Sequence, residues 1–174
     1  MSTLKIPVSE QDHILGPLDA PFSLVEYGDY ECPACGLAYP SVKAVQKTLG
    51  DNLCFVFRHF PLTEIHPLAG LAASTAEFAA KYDRFWNVHD SIYQNQKSLS
   101  QEFLSELVKS QGLALDEFIE NIENEVFAEK IRKDFFGGVR SGVNGTPTFF
   151  INSQRYTGSF SYDDLLYGIT KGKF

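Results

Sequence analysis

The sequence predicts one mixed α/β domain with a block of helices inserted into it, and three observations carry that prediction. A strand-like run, Phe22-Ser-Leu-Val-Glu-Tyr27, leads into a close cysteine pair, Cys32-Pro-Ala-Cys35, where a helix begins. The stretch from Pro67 to about Arg140 is patterned for helices alone. Short apolar runs return only near the end, at Thr148-Phe-Phe-Ile151 and Arg155-Tyr-Thr157, with a turn at Asn152-Ser153 between them. With 174 residues, 44% hydrophobic and 14% aromatic, the chain has enough apolar surface for one packed core.

Taken in order, the first strand follows a loop punctuated by Gly16-Pro17 and Ala20-Pro21. From 35 to about 49, small and apolar residues recur at helical spacing. Gly50 closes that helix, and Pro40 should kink it because proline has no amide hydrogen. Leu53-Cys-Phe-Val-Phe57 is a nearly unbroken apolar run, as in a strand covered on both faces, and Pro61 ends it. Helices are predicted over 67–81, 83–94, 101–111 and from 116 to about 140, with Ser98-Leu-Ser-Gln101 offering a capping box for the third. A last helix over 162–170 has Ser161 as its N-cap. The segments are thus 1–62, a helical insertion over 63–141, and 142–174.

A net charge of −7, with no cluster of Lys and Arg, argues against a nucleic-acid partner. The N-terminal Met1-Ser-Thr-Leu-Lys-Ile-Pro-Val-Ser-Glu10 lacks the apolar core of a secretory signal, and no later segment is apolar for the length of a membrane span. A cytoplasmic protein beginning at Met1, with no stable membrane insertion, is expected. The short N-terminal extension leaves no room for a separate dimerisation domain, so a monomer is expected too.

Three cysteines cannot form a disulfide framework, so the chemistry turns on Cys32 and Cys35. A dithiol that cycles with a disulfide needs one reactive sulfur and a second, close by, to resolve the mixed disulfide. At a helix start the first sulfur meets unpaired amide hydrogens and the positive end of the helix dipole, which favours its thiolate. Cys32 is therefore expected as the nucleophile and Cys35 as the resolving thiol. On spacing alone two other readings stay open: half of a zinc site, or an inert pair. The remaining candidate ligands, Cys54, His13, His59, His66 and His89, include no second compact pair. Cys54 lies in an apolar strand, where a free cysteine acts as a small hydrophobe. The histidines and Phe85-Trp86 are read as structural and core residues.

From these motifs outward the sequence resembles the DsbA-like family of thioredoxin-fold proteins, specifically a bacterial cytoplasmic branch also found fused to some sodium/proton antiporters. The resemblance rests on Asp12-His13, Gly16-Pro17, Leu24-Val-Glu-Tyr-Gly-Asp29 and Glu31-Cys-Pro-Ala-Cys-Gly36. It continues through Phe57-Arg-His-Phe-Pro-Leu62, His66-Pro67, Phe85-Trp86, His89-Asp90 and Gly142-Val-Asn-Gly-Thr-Pro-Thr-Phe-Phe-Ile-Asn152. It implies a thioredoxin-like fold with its helical insertion between the second strand and the strand after a cis proline. By the same likeness, Thr146-Pro147 is the cis-proline loop facing the cysteines, and it binds client peptide together with Pro33 and Ala34 of the motif. Without the likeness, Gly145-Thr-Pro147 reads as a turn before a strand. Glu26, six positions before Cys32, falls where such folds keep a buried acid beneath the second cysteine, able to exchange a proton with it.

The implied activity is thiol:disulfide exchange with protein or small-thiol disulfides, served by a redox recycling partner and needing no cofactor. One departure bears on direction. Ala34 stands where the family's periplasmic oxidants carry a histidine, so a stabilising cation is missing, and a reductase or general exchange role is expected. A glutathione-linked transferase or isomerase, and a non-catalytic zinc-binding or redox-sensing module, are the alternatives.

Overall fold

The computed structural model describes residues 2–172. Met1, Lys173 and Phe174, at the outer ends of the first and last expected segments, lie outside it. Its elements run β1 (His13–Leu15), β2 (Phe22–Gly28), α1 (Pro33–Leu49), β3 (Leu53–His59), α2 (Ala69–Ala80), α3 (Phe85–Gln94), α4 (Gln101–Ser110), α5 (Leu115–Glu123), α6 (Ala128–Arg140), β4 (Thr148–Ile151), β5 (Gln154–Tyr156) and α7 (Tyr162–Lys171).

The strands form one sheet in the order β1-β3-β2-β4-β5, with β2 and β3 parallel and the other pairs antiparallel. Because successive side chains of a strand face opposite ways, β2 divides its residues between two cores. Val25 and Tyr27 join Cys54, Val56, Phe60 and Phe150 on one face. Leu24 joins Phe55, Phe57, Phe149 and Ile151 on the other, with Cys35 and Val42 of α1 and Leu165 of α7. Glu26 shares that second face by the same alternation, between Phe57 and Phe149 in the sheet. The helical block continues this core through Ala76 of α2 and Val88 and Ile92 of α3, and has a smaller core of its own around Phe78, Val108 and Phe118. The mixed α/β fold with a helical insertion is as the sequence predicts.

Three local features differ from the sequence-based reading. β1 is too short for its periodicity to register. It exists because the outer edge of β3 offers partners, pairing His13 with Phe57 and Leu15 with Phe55. The single long helix expected from 116 is two helices, since Glu125, with φ 50°, takes a left-handed turn between α5 and α6. That turn brings α6 onto the far face of the sheet, where Gly138 allows close approach: a Cβ there would lie 2.8 Å from the Phe60 ring and 3.0 Å from that of Tyr27. The cap of α4 is Ser100 rather than Ser98; its hydroxyl accepts from the Phe103 amide at 3.0 Å, and a phenylalanine at that third position cannot complete a capping box. Ser161 caps α7 as expected.

Candidate active site

Cys32 is the N-cap residue of α1, with extended backbone angles (φ −68°, ψ 120°) and Pro33 as the first helical residue. Proline suits that place because an amide hydrogen there would have no acceptor within the helix. The next amides, of Ala34 and Cys35, have no helical acceptor either and turn to the Cys32 sulfur. The Cys32 backbone is itself held: its amide donates to the Asp29 carbonyl at 3.2 Å, and its carbonyl accepts from the Gly36 amide at 3.2 Å.

These contacts make the two thiols unlike. The Cys35 thiol donates to the Cys32 sulfur, burial opposes ionisation, and donors from Thr146 and the Cys35 and Ala34 amides outweigh it. Together they bring Cys32 down to about 5, with no basic side chain among these donors. Cys35 is fully buried; burial, the proton it lends to Cys32 and the nearby Glu26 charge push it well above an ordinary thiol. Glu26 is 2% exposed, and burial, then the Cys32 charge, lifts its carboxyl to about 8.

The loop before β4 closes the other side. The Thr146–Pro147 bond is cis. As a thiol, Cys32 donates to the Thr146 carbonyl at 3.4 Å, while the Thr146 hydroxyl is buried without a hydrogen-bond partner. That hydroxyl is the donor available to the thiolate. Cys32, Pro33, Ala34, Cys35, Thr146 and Pro147, with Glu26 beneath, thus gather at one end of the sheet.

The surroundings include residues the motif gives no hint of. Asp29, 1% exposed, accepts from the amides of Glu31 (2.8 Å) and Leu62 (2.9 Å) and pairs with His66 Nδ1 at 2.8 Å, tying the strand ends below the cysteines. The Tyr30 hydroxyl meets His89 Nδ1 at 3.0 Å. Gln96, between α3 and α4, donates to the carbonyls of Tyr30 and Cys32, both at 2.9 Å.

Among the described residues one group of metal-capable side chains converges, His13, His59 and Glu77, its ligand atoms within 4.8 Å of one another. Both His Nε2 atoms hydrogen-bond to one oxygen, Glu77 Oε1, at 2.6 and 2.8 Å. Burial opposes the Glu77 charge, and these two bonds overcome it, holding the carboxyl well below its ordinary range. The trio joins β1, β3 and α2 and includes neither Cys32 nor Cys35, so the zinc alternative gains no partner ligands from it.

Comparison with known proteins gives the lineage. A thioredoxin family model matches residues 8–171. The chain is 41% identical over 170 residues to the Na(+)/H(+) antiporter NhaA 1 of Salinispora arenicola, covering 96% of this chain and 26% of that protein. It is 40% identical over 165 residues to NhaA 3 of Salinispora tropica, covering 93% and 25%. The chain therefore spans about a quarter of the length of these relatives. Among solved structures, oxidised BdbD from Bacillus subtilis superposes with a TM-score of 0.84 at 28% identity, covering 98% of this chain and 97% of that one. The α-DsbA1 of Wolbachia pipientis shares the fold, with a TM-score of 0.80 at 23% identity over 97% and 93% of the two chains. In sequence and architecture alike, the chain belongs to the thioredoxin family.

Proposed function

We propose that this chain is a thiol:disulfide oxidoreductase that exchanges disulfides with protein or small-thiol clients through Cys32 and Cys35. The observation that carries the reading is the contrast between two sulfurs one helical turn apart, one favoured as thiolate and one held as thiol. The Cys32 thiolate attacks a client disulfide, forming the Cys32–client bond and releasing the client's other sulfur as thiolate. Forming the mixed disulfide removes the Cys32 charge that helps hold the Glu26 proton; once Glu26 has released that proton to solvent, its carboxylate takes the one on Cys35. The Cys35 thiolate then attacks the Cys32 sulfur, closing the Cys32–Cys35 disulfide and releasing the second client thiolate. Two electrons pass to the client; a recycling reductant returns them. Thr146, Pro147, Pro33 and Ala34 are the surfaces a client would touch around the sulfur.

A reducing, cytoplasmic setting is the companion proposal, supported by Cys54, an odd third thiol with no partner cysteine. No helix among the described residues is long and apolar enough to cross a membrane. The test is equilibration of the purified chain against glutathione buffers with alkylation and peptide mapping. One reversible two-electron couple at Cys32–Cys35, lost in Cys35→Ser with accumulation of the Cys32 mixed disulfide, is expected. Full turnover by Cys35→Ser would instead favour the glutathione-linked alternative, and about one bound zinc per chain the metal-binding one.

A further inference from the structure

We propose that Gln96 is a positioning residue for this exchange centre: from the inserted helical block, its side-chain amide pins the backbone carbonyls of Tyr30 and Cys32 and so fixes the orientation of the reactive cysteine. The inference rests on the exchange reading above and adds a residue that neither the cysteine motif nor the cis-proline loop contains.

The geometry is specific. A primary amide nitrogen carries two hydrogens, and Gln96 spends both on the motif, one on each carbonyl at 2.9 Å. Among the described residues no other side chain donates to either carbonyl. Gln96 is well placed to act as a fixed point, because the chain just before it is anchored: Tyr93 is buried, its ring 5.1 Å from Tyr30 and 5.3 Å from Tyr39. The motif is shaped to receive it. A Cβ on Gly36 would stand 2.1 Å from Gln96 Oε1, so the glycine of Cys-Pro-Ala-Cys-Gly leaves the space the amide occupies.

The consequence follows from how the Cys32 sulfur is stabilised. The amides of Ala34 and Cys35 reach it only while the Cys32 peptide keeps its extended N-cap conformation. That conformation is held by the Asp29 carbonyl on one side and by the Gly36 amide and Gln96 on the other. Without Gln96 the Cys32 carbonyl keeps a single hydrogen-bond donor, the Tyr30 carbonyl loses its side-chain donor, and the loop before the helix is held less firmly in orientation.

The test compares full-length wild type with Gln96→Met and Gln96→Ala, two variants that differ in volume but both lack the amide. The readout is the pH midpoint of Cys32 ionisation, followed by thiolate ultraviolet absorbance and by the alkylation rate of the Cys32 peptide, with thermal melting alongside. Both variants should raise the midpoint by roughly 0.5–1 pH unit, the worth of one or two hydrogen bonds, and slow alkylation below the midpoint roughly 3–10-fold. Gly36→Ala, which displaces Oε1, should raise it similarly and add little in the Gln96→Ala background. A midpoint unchanged in both Gln96 variants, with only the melting temperature altered, would overturn the inference and leave Gln96 as packing. A wild-type midpoint near that of an ordinary thiol would instead overturn the exchange reading itself.

Discussion

Replacing Glu26 with Gln should make the protein progressively more stable than its parent as pH rises. The Glu26 carboxyl is lifted from an ordinary 4.5 to about 8 by burial, aided by the Cys32 charge. Below 4.5 it is protonated in folded and unfolded chains alike, so ionisation contributes nothing. Between 4.5 and about 8 the unfolded chain releases the proton while the folded chain keeps it, and the parent loses stability with rising pH. Above about 8 both forms are ionised and the loss is complete. At 1.36 kcal/mol per pH unit, the span is worth about 5 kcal/mol. Glutamine has nearly the same shape and cannot ionise, so it escapes this loss, and the Cys32 thiolate, present in both proteins, largely cancels in the comparison. The assay is urea unfolding of both reduced proteins between about pH 5 and about pH 8, where their stability difference should widen by roughly 1 kcal/mol per pH unit. A difference that stays constant across that range refutes the reasoning. It would mean that Glu26 ionises like an exposed acid and cannot serve Cys35 as a base near neutrality.

Two further substitutions test the rest of the site and its support. Thr146→Val removes a buried hydroxyl that has no partner in the thiol state, so below the Cys32 midpoint it should leave thermal stability unchanged or improved, while raising that midpoint from about 5 and costing stability only above it. A fall in stability with the midpoint unmoved would contradict this. Asp12→Ala strands Arg58, which is 2% exposed and held by Asp12 through two bonds of 2.8 and 3.0 Å. A buried guanidinium left without its counter-ion should cost about 3–5 kcal/mol in urea unfolding, and a loss below about 1 kcal/mol would show the pair to be dispensable.

What the sequence reveals here is what is encoded locally. The unbroken run at Leu53-Cys-Phe-Val-Phe57 and the alternation through β2 each lie within a few residues, and so does the cysteine pair at a helix start. β1 was not legible, because three residues become a strand only when the β3 edge receives them. Nor was the break at Glu125, since residues other than glycine can be forced into a left-handed turn when the flanking helices have separate surfaces to cover. In the site, Cys32 could be read as the more acidic thiol from its helix start alone, and Ala34 supplies no cation beside it. Its effect is smaller than that absence suggests, because neighbours remote in sequence supply donors instead. Glu77 and Gln96 act from the helical block on residues far along the chain, and nothing in their own neighbourhood marks them out.

The strand order has a consequence for biosynthesis. On one side Leu24 pairs with Phe55, which leaves the ribosome soon after it; on the other it pairs with Ile151, which follows only after the whole helical block has been made. A nascent chain therefore carries the thiol pair beside an open strand edge while the helical block is made, with Thr146 still to come. Such an edge invites pairing with other chains, and the unshielded sulfur invites untimely cross-linking. Only a polypeptide that has reached β4 can assemble this end of the sheet, so a product terminated before β4 is expected to be adhesive rather than active.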